Sequence, residues 1–108
     1  GTSGEDWAKE NLPKATIVSV DDVAAAMAGV QTGLYDAMVI DLPVASNLIS
    51  TSYSDLIIAK EIPTGEQYGI AVSKDNPALT EAINKVLADM EKDGTMTSLK
   101  TKWFGSNI

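Results

Sequence analysis

Residues 35–40 (YDAMVI) form a nearly continuous apolar run of strand length that stops abruptly at Asp41. Unlike an alternating pattern, such a run predicts a strand buried on both faces, and therefore a sheet with helices above and below it. The rest of the chain supplies both kinds of element. Residues 4–11 (GEDWAKEN) carry their acids early and run into Pro13, the charge order of a short helix capped by Thr2 or Ser3. Residues 15–20 (ATIVSV) alternate and are β-branched, which predicts a strand. Asp21-Asp22 then opens a helix with Val23, Met27 and Val30 at helical spacing, closed by Gly33. Beyond Asp41, Pro43 restarts a helical stretch through Leu48. Residues 55–62 (DLIIAKEI) and 67–73 (QYGIAVS) read as strands joined by a Pro63-Thr64-Gly65 turn. Asn76-Pro77 starts the clearest helix, with Leu79, Ile83, Val86, Leu87 and Met90 on one face and Gly94 just past its end. A last helix over 96–103 places Met96, Leu99 and Trp103 at i, i+3 and i+7, a spacing that favours Trp103 as a core anchor over a stacking platform. Helices alternating with strands predict an α/β domain with a mostly parallel sheet between helical layers. The chain opens directly on a helix start, where such sheets normally begin with a central strand, as expected of a segment cut from a larger protein.

Composition narrows the chemistry. With 44% apolar and 21% charged residues over 108 positions, the chain is neither a disordered tail nor a fibrous repeat. A net charge of −7 disfavours binding to nucleic acid. No Cys is present, which removes thiolate metal sites, disulfides and cysteine nucleophiles and suits an oxidising compartment. No His is present either, so the usual imidazole base and commonest metal ligand are absent. All eight basic residues are lysines. No run of eighteen apolar residues exists, so no membrane span or direct insertion is expected.

Two places can carry binding chemistry. Gly1-Thr2-Ser3-Gly4 stands at a helix N-terminus, where unpaired N–H groups and the positive dipole end accept an anion, and the hydroxyls of Thr2 and Ser3 can add hydrogen bonds. The turn lacks the spacing and Gly-Lys-Ser/Thr ending of a P-loop, and a plain helix cap is the competing assignment. Asp41 stands at the carboxyl end of the buried run, where ligands of open α/β sheets bind. It can meet an ammonium group, ligate a metal or act as a base; alternatively it caps the helix that contains Pro43. The pairs Asp21-Asp22 and Glu91/Asp93 read as helix-start charges and a solvated face. No cluster of three carboxylates has metal-site spacing, so neither metal nor cofactor is assigned.

Taken in order, Gly1-Thr2-Ser3-Gly4, Ala8-Lys9-Glu10-Asn11-Leu12-Pro13, Tyr35 through Pro43 (YDAMVIDLP), Gln67-Tyr68-Gly69-Ile70-Ala71-Val72, Asp93-Gly94-Thr95 and Lys102-Trp103-Phe104-Gly105 resemble the amino-acid-binding proteins of polar amino-acid ABC importers. These are the family 3 solute-binding proteins, with a type II periplasmic-binding fold. Ionotropic glutamate-receptor ligand-binding domains share this two-lobed type. The similarity covers essentially all 108 residues but only the second half of a family member. It implies that residues 1–67 form most of ligand-binding lobe two, residues 68–74 a hinge-crossing strand, and residues 75–108 the C-terminal helices that pack on lobe one. Lobe one proper, and the strand that leads into the Gly-Thr-Ser-Gly turn, would lie outside the chain, together with the family's carboxylate-clamping arginine.

The resemblance implies that Asp41 receives the α-ammonium of a free amino acid and that Thr2, Ser3 and Gly4 hold its α-carboxylate. Ile40 would face the side-chain region. The implied function is non-enzymatic capture of an amino acid outside the cytoplasm, in the periplasm or extracellularly, with lipid anchoring an alternative to free diffusion. The implied partners are ABC permease transmembrane subunits and either the missing lobe one or another copy of the chain. Two rivals use the same fold. A sensory domain of a receptor or kinase would need transmembrane flanks, and the chain's end three residues after Gly105 favours the free binding protein. A dehydratase-like or hydrolase-like enzyme would need Asp41, a lysine or a tyrosine as its base.

Overall fold

Five helices make up the regular structure of the described residues, 1–105 of the computed structural model. They fall into two units, Gly1–Ala59 and a second beginning at Lys60.

The first unit holds α1 (Ser3–Asn11), α2 (Val23–Gln31) and α3 (Leu42–Thr51). Each begins where local chemistry dictates. Thr2 caps α1 by accepting the Glu5 N–H on Oγ1 at 3.2 Å, and the helix ends before Pro13, which cannot extend it. Asp22 caps α2 by accepting the Ala24 N–H on Oδ1 at 2.8 Å. Proline enters the first turn of α3, where its missing N–H costs nothing. The core is small: Ala8 of α1, Met27 and Gly29 of α2 and Ser46 of α3 are buried. Gly29 is there because nothing larger fits. A Cβ at that position would lie 2.4 Å from Tyr35 Cδ2, and the Tyr35 N–H donates to the Gly29 carbonyl at 3.1 Å. Gln31 Nε2 donates to both carboxylate oxygens of Asp55 (2.9 and 3.1 Å), and the Tyr53 hydroxyl donates to the Ala24 carbonyl at 3.3 Å. These bonds hold the chain that follows α3 against α2.

The second unit holds α4 (Pro77–Asp93) and α5 (Thr95–Phe104), which pack against each other. Asn76 caps α4 by accepting the Leu79 N–H at 3.1 Å. Gly94, at φ 83°, ends α4 and starts α5; this left-handed conformation favours glycine, which has no Cβ to clash. Asp93 accepts the Thr95 N–H at 2.9 Å. Hydrogen bonds from the side chain and backbone of Thr95 hold its carboxyl below the usual carboxylate range.

The runs 15–20, 35–40, 55–62 and 67–73, expected as strands, form none among the described residues, so the sheet between the helical layers is not seen there. A strand exists only as part of a hydrogen-bonded ladder, and these runs have the side-chain pattern of strands without partners. Their apolar residues are accordingly uncovered: Val18, Ile57 and Ile70 are exposed, and Met38, Val39 and Ile40 only half-buried. Trp103 is also not a core anchor. Its side chain remains 55% exposed, with Lys102 Nζ 5.3 Å from the ring centroid. No residue of α4 or α5 is buried, so there is no core in this unit for it to anchor.

Candidate functional site

The first turn of α1 carries the candidate anion site. Thr2 is extended (φ −111°, ψ 162°) and its carbonyl accepts the Asp6 N–H at 3.1 Å, which starts the helix. The N–H groups of the first turn have no intrahelical acceptor, and the Gly4 N–H is one of them. That turn rests directly on the segment leading to Asp41. The Cα hydrogen side of Gly4 faces Val39 so closely that a Cβ would lie 3.3 Å from the Val39 carbonyl oxygen and 3.4 Å from its Cγ1. Asp41 follows Val39 by two residues, at most about 7 Å of chain. The first turn of α1 therefore lies against Val39, two residues before Asp41, within the first unit.

Asp41 is half-buried and occupies the N-cap position of α3, but its side chain makes no capping hydrogen bond there. Only its carbonyl serves the helix, accepting the Ala45 N–H at 3.0 Å. The capping role that sequence alone left open for Asp41 is thus not taken up by its carboxylate. Ile40 beside it is half-buried.

Glu5, Lys9 and Ser19 were not among the residues singled out from sequence. Glu5 Oε1 accepts from Lys9 Nζ and from Ser19 Oγ, each at 2.5 Å, and Oε2 accepts from the Gly1 nitrogen at 2.5 Å. The Lys9 bond, followed by those from the terminal amine and Ser19, holds the Glu5 carboxyl at about 2, well below the usual 4.5. The spacing Thr2-x-x-Glu5 is that of a capping box, a sequence signal that marks Glu5 as a structural acceptor at this helix start. Ser19 has no such signal, because it is fourteen residues away.

In the second unit, Ile70, Ala82, Ile83, Val86 and Leu87 line an open apolar groove of about 320 Å³. It offers no polar group to orient a small molecule. Among the described residues, no three acidic side chains converge as a metal site, and no helix is long and apolar enough to cross a membrane.

Comparison with known proteins gives a consistent set of relatives. The model of the bacterial extracellular solute-binding proteins, family 3, matches residues 4–106. The L-cystine-binding protein TcyJ of Escherichia coli (strain K12) is 31% identical over 108 residues, covering 100% of this chain and 41% of that protein. The ABC transporter arginine-binding protein 1 of the same strain is 32% identical over 109 residues, with 96% of this chain and 44% of that protein covered. The ABC transporter glutamine-binding protein GlnH of Bacillus subtilis (strain 168) is 28% identical over 103 residues, with 95% and 37% covered. The chain thus spans about two fifths of the length of these curated relatives. No solved structure matches it significantly.

Proposed function

Because the chain belongs to the bacterial extracellular solute-binding proteins of family 3, we propose that it supplies half of the site with which such a protein captures a free amino acid for an ABC importer. The observation that supports this reading is the close approach of the Gly4 turn, at the N-terminus of α1, to Val39, two residues before Asp41. Thr2, Ser3 and Gly4 receive the α-carboxylate through N–H groups and hydroxyls, and Asp41 receives the α-ammonium. The named ligands of the three relatives (cystine, arginine and glutamine) differ in their side chains and share only this zwitterionic end. Thr2, Ser3, Gly4 and Asp41 are suited to that shared end, and selectivity comes from elsewhere.

On this proposal residues 1–67 are most of lobe two, residues 68–74 cross the hinge, and residues 75–108 carry the helices that pack on lobe one. The sheet layers form when the runs 15–20 and 35–40 find ladder partners in a longer chain. Closure of two lobes around the ligand, outside the cytoplasm, presents it to the permease subunits. The protein binds without turning over its ligand, in keeping with relatives that are named as binding proteins. The bare apolar face of α4 is covered by lobe one or by another copy of the chain.

Titration of the ¹⁵N-labelled chain with L-glutamine and L-arginine tests the assignment. Binding is weak, because half the polar contacts and the enclosure are missing. The amides of residues 3, 4 and 41 move first. Asp41→Asn keeps the side chain's shape and removes a charge-assisted bond worth roughly 1.5–3 kcal/mol, so affinity falls at least about tenfold. Asp21→Asn removes one acid elsewhere and leaves affinity unchanged. Equal loss in both variants would make the effect general electrostatics, and micromolar binding by the lone chain would contradict the half-site.

A further inference from the structure

We infer that Glu5 is a positioning residue for the anion-accepting turn, fastened through Ser19, and this rests on the amino-acid-binding proposal above. The sequence Thr2-Ser3-Gly4-Glu5 has the spacing of a capping box, in which the glutamate folds back over the N-cap N–H. In that arrangement a carboxylate of the protein itself would sit in the mouth that a ligand carboxylate needs. Here the side chain goes elsewhere. Oε1 takes Lys9 Nζ, one turn along α1, and Ser19 Oγ, in the run that leads to the cap of α2. None of these bonds is to Thr2, Ser3 or Gly4. Meanwhile the Glu5 N–H is held by Thr2 Oγ1 at 3.2 Å, so the residue is fixed at both its backbone and its side chain.

The arrangement does two things for the turn. It partners the glutamate charge with the Lys9 ammonium, so less of that charge opposes a second anion at the turn. It also ties the turn to residue 19, so that its position no longer depends on α1 alone. The Glu5 side chain is only 15% exposed, against 55% for Lys9, consistent with an inward anchor and a solvated counter-charge.

The sign of the effect separates positioning from simple field effects. Removing a negative charge beside an anion site should tighten carboxylate binding through space. Positioning requires the opposite. In the same ¹⁵N titration with L-glutamine, Glu5→Gln weakens binding three- to tenfold. Ser19→Ala, which changes no charge, weakens it in the same direction, and Ser19→Thr, which keeps the hydroxyl, restores it, with the melting temperatures of the two serine variants matching. Binding that is unchanged or tighter in Glu5→Gln or Ser19→Ala overturns the proposal, and the serine variants decide if Glu5→Gln fails to fold. Asp41→Asn is run in parallel. If the wild-type chain shows no shifts at residues 3, 4 and 41, the amino-acid site itself is wrong, and the role of Glu5 with it. If Asp41→Asn weakens binding while the Glu5 and Ser19 variants do not, only the positioning role fails.

Discussion

Replacing Gly29 by alanine reverses the usual effect of that substitution. In a helix interior, alanine is favoured over glycine by up to about 1 kcal/mol, because glycine loses more backbone entropy on folding. Gly29 lies inside α2, yet an added Cβ would stand 2.4 Å from Tyr35 Cδ2 and 2.5 Å from Cε2. Ordinary carbon contacts are about 3.5–4 Å, so the ring must retreat by about 1 Å. The Tyr35 backbone is held in place, because its N–H is bonded to the Gly29 carbonyl at 3.1 Å, so the ring can yield only by leaving its rotamer. Overpacking of this kind costs roughly 1–3 kcal/mol, which leaves a net loss of about 1 kcal/mol after the helix gain. At 4–8 °C per kcal/mol for a domain of this size, the melting temperature falls by about 5 °C. Thermal and urea unfolding followed by circular dichroism at 222 nm measure this. The decisive comparison is made in a Tyr35→Ala background, where the obstacle is gone and Gly29→Ala becomes stabilising by up to about 1 kcal/mol. Stabilisation by Gly29→Ala in the wild-type background would refute the packing argument.

Three further outcomes follow from particular groups. Ser46 is 4% exposed and its hydroxyl has no hydrogen-bond partner among the described residues, so Ser46→Ala removes an uncompensated desolvation cost and raises stability by about 1 kcal/mol in urea unfolding; a comparable loss would show that the hydroxyl is bonded after all. The Glu5 carboxyl is depressed from 4.5 to about 2, so its contribution is complete above pH 4.5 and is lost as pH falls toward 2. The stability gap between wild type and Glu5→Gln therefore closes on acidification over that range, and shrinks with added salt at neutral pH; a gap that stays constant from pH 6 to pH 2 would contradict the charge assignment. The groove along α4, with Leu79 and Val86 exposed, drives association of the isolated chain, so sedimentation velocity finds species heavier than 11.4 kDa and Val86→Lys returns it to monomer; a wild-type monomer at 100 µM concentration (on the order of a strong test for such a patch) would argue that the face is tolerated bare.

The sequence by itself determined the helices and their ends. Thr2, Asp22 and Asn76 each sit within three residues of the N–H they cap, Pro13 stops α1, and Gly94 turns α4 into α5. All of these are short-range effects that a linear pattern records in full. The turn at Thr2-Ser3-Gly4 was legible as a candidate because it starts a helix, and Asp41 because it ends the apolar run 35–40. Tertiary structure decided what lies beyond a few residues. It brought Gly4 onto Val39, bonded Glu5 to Ser19 across fourteen residues, and seated Tyr35 where Gly29 leaves room. It also withheld what the pattern promised. Residues 15–20 and 35–40 have strand chemistry, but a strand's hydrogen bonds belong to a neighbour, and no periodicity within a segment can supply one. Trp103 has the spacing of an anchor, but burial is a property of what packs against it, and here the residue stays half exposed with Lys102 over its ring.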